Sequence, residues 1–269
     1  MSQKQVTILV PNYRSFLITK ICLRLLRKYT DPALADVIVI DNDSNDDSTE
    51  YLRRLDWIRL IERKAEPDES GVQAHSRALD LALLEVKTSY VLSIHTDTFV
   101  KRNDWLDTLL KEFNSPDIAG VGSWKLEFKN LPRRTGIRVE QGWKYLLNRL
   151  LGYRGYNPKR LDRSARYLRS HCAIYRTDVI RKLQTSFGDG NDTAGKVMHQ
   201  KMLDAGYEMK FLSSDFLGRY IDHLNHATSI LNPELRRDQK NNGKKAKIIK
   251  AKLRGIDAQA ILSQPHLDQ

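Results

Sequence analysis

The chain predicts an α/β fold in which a mostly parallel central sheet is flanked by helices. Short apolar runs such as Val6–Val10 and Tyr90–Ile94 alternate with longer stretches whose apolar residues recur at helical spacing. Alternation of this kind belongs to parallel sheets joined by crossover helices. Polar, mostly acidic loops follow the strands, at the edge where such sheets bind ligands.

The elements follow in order. Val6–Val10 is a buried-type strand and Pro11-Asn12-Tyr13 a turn. Phe16–Tyr29 is a helix with Leu17, Ile21 and Leu25 on one face. Asp36–Ile40 is a second strand, ended by the acidic loop 41–49. A short helix over Glu50–Leu55, a strand over Ile58–Ile61 and a helix over Val72–Val86 come next. Tyr90–Ile94 is the fourth strand, then a helix over Asn103–Phe113 and a strand over Ile118–Ser123. After Trp124 the alternation breaks down. Residues 125–170 are basic and aromatic-rich, 167–180 and 197–212 read again as packed elements, and 232–269 as a polar, partly helical tail. The expected organisation is 1–124, 125–231 and the tail 232–269, with no linker that demands a second independent domain.

Charge is concentrated. The chain carries +12 overall, and residues 125–182 alone hold 16 Lys/Arg against 4 Asp/Glu. The rest, tail aside, is slightly acidic, so the basic parts are expected to face an anionic substrate or surface. A nucleic-acid binder would explain the basic segment but not the acidic strand-end loops, so no nucleic-acid partner is expected. Two distant cysteines and the lack of a signal-like segment lead to an expected reducing, cytoplasmic location.

His95-Thr96-Asp97-Thr98 closes the Tyr90–Ile94 run. Residues i and i+2 of an extended chain face the same way, so His95 and Asp97 are placed to share one cation or a metal-bound phosphate. No Gly-rich phosphate fingerprint accompanies them.

Residues 6–13 (VTILVPNY), 37–48 (VIVIDNDSNDDS), Gly71 opening a helix, 90–97 (YVLSIHTD) and 104–110 (DWLDTLL) together resemble the family-2 glycosyltransferases in order and spacing. The likeness spans about 110 residues. It implies the GT-A fold, with a Rossmann-like nucleotide-binding half and an acceptor-binding half. It also implies transfer from a nucleotide-sugar donor (UDP-, GDP- or dTDP-linked), inverting and metal-assisted, to a glycan or lipid-linked glycan.

Residue by residue, the resemblance places Pro11, Asn12, Tyr13, Asp41, Asp43, Gly71, Arg77, Thr96 and Asp97 at the donor. Asp41 would accept hydrogen bonds from base or ribose, since a carboxylate is acceptor-only. Asp46 and Asp47 read as solvated loop. Asp97 matches the last Asp of the family's D-x-D motif, the holder of Mg²⁺ or Mn²⁺ on the diphosphate. His95 stands where the first Asp usually does, and imidazole suits Mn²⁺ or a later metal better than Mg²⁺. His223, then His226, fits the C-terminal histidine that returns a ligand to the metal.

On the acceptor side, His171 has two readings, an acceptor contact or a packed histidine. The catalytic base falls to Asp192 or Asp189, just before a helix ending at Gly206-Tyr207. Asp192 is equally well read as a helix N-cap. Trp143, Leu146, Leu147, Leu150 and Leu151 form an amphipathic stripe. Set among Arg133, Arg134 and Arg138, it reads as core or as a membrane-surface element. The rival reading is a catalytically lapsed module that keeps the fold to hold an anionic glycan or lipid.

Overall fold

The computed structural model describes residues 4–124, 166–224 and 242–269. Strand β1 (Val6–Asn12) leads to helix α1 (Phe16–Tyr29), β2 (Ala35–Asn42), α2 (Asp47–Leu52), β3 (Arg59–Arg63) and α3 (Gly71–Leu83). Next come β4 (Tyr90–Ile94), β5 (Thr98–Val100), α4 (Trp105–Leu110) and β6 (Ile118–Gly122). The described second half holds β7 (Cys172–Arg176), α5 (Thr177–Lys182), α6 (Lys196–Asp204), β8 (Glu208–Phe211), α7 (Ser214–Leu217) and β9 (Ile221–His223). Helices α8 (Asn242–Gly255) and α9 (Ala258–Leu262) precede a final 3₁₀ turn over Pro265–Asp268.

Seven strands form one sheet in the order β3-β2-β1-β4-β7-β6-β8. Strand β7 runs antiparallel to both neighbours and the remaining pairs are parallel. The sheet therefore takes strands from both sides of residue 124. Strand alternation fills two cores. Val6, Ile8 and Val10 face α1 on one side, while Leu9, Ile38 and Ile40 face Ala78 and Leu79 of α3 on the other. Gly122 is needed where β6 meets β7, because a Cβ there would lie 2.9 Å from the Cys172 carbonyl oxygen.

Several boundaries differ from expectation for local reasons. Strand β1 runs through Pro11 and Asn12, which were expected in a turn. Pairing to β4 stops at Leu9, so Pro11, with no N–H, sits where that ladder has already ended. Helix α2 begins at Asp47 because Asp46 caps it, accepting from Ser48 N at 3.0 Å. Asp46 is thus a cap and not merely solvated loop. Helix α3 starts with a reciprocal capping box between Ser70 and Gln73.

The tail folds back. Ile249, Ile261 and Leu267 join the core on the α1 face. Arg24, buried on α1, donates to the carbonyls of Ile261 and Leu262 at 3.0 and 2.7 Å and forks onto both oxygens of Asp268. Tyr51 O–H donates to Asp268 at 2.7 Å. These contacts hold the last residues against the first helix. Nothing in residue spacing alone announces them. Among the described residues no helix is long and apolar enough to cross a membrane.

Asp268→Ala leaves the buried Arg24 guanidinium without its anion. Loss of one partner from a buried ion pair costs about 3 kcal/mol, so the urea midpoint should fall substantially. A midpoint equal to wild type would show that the tail is held without this clamp.

Candidate metal and donor site

The site lies at the carboxyl edge of the sheet and is scaffolded by one buried polar knot. Asn12, 1% exposed at the end of β1, donates from Nδ2 to Asp41 Oδ1 at 2.8 Å, Ser44 Oγ at 3.1 Å and Ser48 Oγ at 2.9 Å. Its Oδ1 accepts from Ser15 at 3.3 Å and Thr19 at 2.6 Å. Thr49 O–H donates to the other oxygen of Asp41 at 2.7 Å. Strand ends β1 and β2 and the starts of α1 and α2 are thereby tied together.

Asn12 and Asp41, expected at the donor, also serve as scaffold. Asp41 is 3% exposed and each of its oxygens takes a hydrogen bond from the chain, so the pair ties the strand-end loops together. Asp43, half-buried at φ 63°, accepts from Asn45 Nδ2 at 2.7 Å and from Ala65 N at 3.4 Å, linking the β2 and β3 loops. Arg77 is ion-paired with Glu66 and, at 3.0 Å, with Glu69. Glu69 also holds Arg63, so Arg77 belongs to a structural network on the flank of α3. Tyr13 stacks under the Arg14 guanidinium, 5.3 Å from its ring centre. Gly71 opens α3 with open space where a Cβ would stand.

His95 and Asp97 do meet, though not through an extended chain. Strand β4 stops at Ile94, and Thr98 N donates to His95 O at 3.0 Å, closing a turn. The turn leaves His95 Nδ1 3.9 Å from Asp97 Oδ1. A two-stranded antiparallel sheet then delivers a third group. β5 pairs with β9, Thr98 lies opposite His223, and Leu224 N donates to Asp97 O at 2.8 Å. This ladder places His223 Nε2 3.2 Å from Asp97 Oδ1. His95, Asp97 and His223 thus offer ligand atoms that all lie within 4.8 Å of one another.

The residues fit a divalent cation. Two imidazoles and one carboxylate suit Mn²⁺ or a later first-row ion, and three ligands leave positions open for a diphosphate. His223 Nδ1 is buried with no hydrogen-bond partner among the described residues, a costly state for a neutral fold and an ordinary one near a polar ligand. Burial holds three of the imidazoles, His75, His95 and His171, neutral at pH 7. Burial, reinforced by the neighbouring His75, holds His95 well below its usual range. Burial takes His75 down to about 4, against the pull of Asp97. His171 falls to about 3, through burial first and nearby His223 second. A neutral imidazole has the lone pair that a metal needs.

The family model described as "Glycosyl transferase family 2" matches residues 7–184. The chain belongs to that family. Among solved structures it is similar to the mannosyltransferase PcManGT from Pyrobaculum calidifontis, in complex with GDP-Man and Mn²⁺. That match has 16% identity and a TM-score of 0.54, covering 98% of this chain and 80% of that one. It is also similar to S. aureus TarS in complex with UDP-GlcNAc, at 16% identity and TM-score 0.53, covering 93% and 71%. These likenesses establish a GT-A fold. No protein of curated function matches the chain by sequence.

Beside the triad, the remaining candidates of this family-2 chain divide. Thr96 is 4% exposed, with its hydroxyl 3.5 Å from Ser15 Oγ, and it braces the turn against α1. His171 is 6% exposed and packed. It stacks on His223 at 4.8 Å between ring centres, and its Nε2 lies 3.1 Å from Ser123 Oγ.

Asp192 is not the N-cap of α6, a place taken by Gly195 at φ 77°. Its carboxylate takes hydrogen bonds from Thr193 N at 2.6 Å and Lys196 Nζ at 2.5 Å, which hold it below the usual carboxylate range. Burial would raise Asp189, but hydrogen bonds from Lys201 and Thr185 bring it below that range. His226, Arg133, Arg134, Arg138 and the Trp143–Leu151 stripe lie outside the described residues.

Two residues missed by sequence reasoning complete the surroundings. His75, in the second turn of α3, sets its ring against His95 at 4.8 Å between centres. Ser170 Oγ lies 3.1 Å from His75 Nε2 and 3.0 Å from His95 Nε2. A lone histidine inside an amphipathic helix and a serine before His171 carry no signal in one sequence.

Asn12→Ala strips Asp41 Oδ1 and the Ser44 and Ser48 hydroxyls of their shared donor. An unsatisfied buried polar group costs about 1–3 kcal/mol, and thermal melting should register a loss of that order. An unchanged melting temperature would mean that the knot is not what holds the strand ends.

Proposed function

We propose that the protein is a glycosyltransferase that moves a sugar from a nucleotide-sugar donor to a glycan or lipid-linked glycan, with inversion and with help from a divalent cation. The observation that carries this reading is the convergence of His95, Asp97 and His223 at the carboxyl edge of a family-2 sheet. The solved relatives named above were captured with GDP-Man and Mn²⁺ and with UDP-GlcNAc, which supports a sugar nucleotide as the donor class.

His95, Asp97 and His223 are the residues that would hold Mn²⁺ or Mg²⁺. When bound, such an ion offsets the charge that grows on the departing nucleoside diphosphate. His171 and Ser123 stiffen His223 from behind, and the Asn12–Asp41 knot fixes the loops around the donor. The nitrogen-rich ligand set favours Mn²⁺ over Mg²⁺. Of the two carboxylates near α6, Asp192 is the better base for the acceptor hydroxyl. It is half-exposed and tied by Lys196 alone among side chains, whereas Thr185, Ser186 and Lys201 all engage Asp189. The basic 125–182 segment gives an anionic acceptor, or a membrane surface carrying one, a reason to dock from the cytoplasmic side.

Four measurements test this reading. Asp97→Ala should abolish transfer while the circular dichroism stays native, and normal turnover would sink the metal-site assignment. A melting panel of UDP-, GDP- and dTDP-sugars should show one donor that raises the melting temperature, more so with Mn²⁺, by mass action. Hydrolysis of that donor without acceptor separates an enzyme from a lapsed binding module. Neutralising Arg133, Arg134 and Arg138 together should raise the acceptor KM and leave the donor KM nearly unchanged, more visibly at low salt. Equal effects on both would assign the patch to the nucleotide site instead.

A further inference from the structure

Ser170 sits between two imidazoles and has only one proton to give. His95 Nε2 lies 3.0 Å from its Oγ on one side and His75 Nε2 3.1 Å on the other. One hydroxyl donates once, so it cannot donate to both rings, and the other ring must donate to it. At least one of the two rings therefore donates to Ser170, and whether His95 is that ring decides which of its nitrogens is left bare.

If His75 donates to Ser170 and Ser170 donates to His95 Nε2, then a neutral His95 carries its proton on Nδ1, which faces Asp97 at 3.9 Å. If instead His95 Nε2–H donates to Ser170 and Ser170 donates to His75 Nε2, then His95 Nδ1 is a bare lone pair pointed at Asp97 and His223. Only the second direction makes His95 a ligand. We propose that Ser170 and His75 are positioning residues that fix the Nε2–H tautomer of His95 and aim its Nδ1 at the cation shared with Asp97 and His223.

The surroundings agree with that role. Ser170 is 7% exposed, so little water competes for its hydroxyl. The edge-to-face contact of His75 with His95 restrains the His95 ring, 79° between planes. The His95 backbone is held as well, its N–H donating to His171 O at 3.4 Å. His75 reaches the cluster from α3 and Ser170 from the residues preceding β7. The relay thus links the nucleotide half to the acceptor half through the His95 ring. A ligand histidine whose second nitrogen donates to a fixed acceptor gains both orientation and basicity, and loss of such a partner typically weakens metal binding about 10–100-fold.

This inference rests on the metal reading of the site, and the experiment keeps the two apart. Mn²⁺ binding to the full chain, followed by loss of the free-ion electron paramagnetic resonance signal, is measured for wild type and Asp97→Ala. Binding by wild type that Asp97→Ala abolishes supports the metal reading. Absence of Mn²⁺ binding by wild type removes that reading and the relay with it.

Given wild-type binding, Ser170→Ala should weaken Mn²⁺ affinity about 10–100-fold and change the visible spectrum of the Co²⁺-loaded protein. Ser170→Thr, which keeps a hydroxyl, should recover most of the affinity. His75→Phe keeps the ring contact but removes the acceptor, and should weaken binding less than Ser170→Ala, because the serine hydroxyl can still accept from His95. At saturating Mn²⁺ the Ser170→Ala enzyme should regain most of its kcat, its defect lying in the apparent KM for the ion. Mn²⁺ affinity of Ser170→Ala within twofold of wild type overturns the relay, as does a Ser170→Thr variant that rescues nothing.

Discussion

The hydrogen-bond knot between Asn12 and Asp41 is the constraint on which the rest of the site depends. Parallel strands end side by side, but nothing in a sheet ladder fixes what their loops do beyond the last pair. Here one buried amide bridges the carboxylate at the end of β2, two hydroxyls before and within α2, and two hydroxyls at the start of α1. A buried network is stabilising only when every member is satisfied. That requirement makes the loop conformation nearly unique, and the edge of the sheet becomes a platform for Tyr13, Asp43 and the turn at His95.

On that platform the candidate metal group holds two imidazoles and one carboxylate, with His95 where the family's first Asp usually stands. His75, His95, His171 and His223 meet near Asp97, drawn from four separate stretches of the chain. Burial keeps His75, His95 and His171 neutral, so these three rings bring no positive charge into the interior. The same burial preserves their lone pairs. The serines at 123 and 170 supply the hydrogen bonds that orient His171, His75 and His95.

The tail adds a second layer of control. Helix α8 returns to the site edge, where Lys252 donates to the carbonyl of His223, and the last turn is anchored by Arg24 and Tyr51. Strand β9, which carries His223, is therefore held from both sides: by pairing to β5 and by the returning helix. Residues whose charge pattern reads as a solvated run contribute apolar side chains such as Ile249 and Ile261 to the α1 core.

The sequence by itself determined the α/β class, the strands at 6–12, 35–42 and 90–94 within a residue or two, and the family. Those follow from hydrophobic period and from strand-end residues close together in the chain, and both kinds of information are local. It also found His95, Asp97 and His223, because a family pattern ties each to a strand end. What only the tertiary structure decided is which polar residues face inward. Asn12 and Asp41 join a buried knot, and Arg77 pairs with Glu66 and Glu69. His75, Ser170 and the Arg24–Asp268 clamp are pairings across 20 to 244 residues of chain. A hydrogen bond depends on distance and direction in space, and one sequence carries neither for residues that meet only when the sheet is closed.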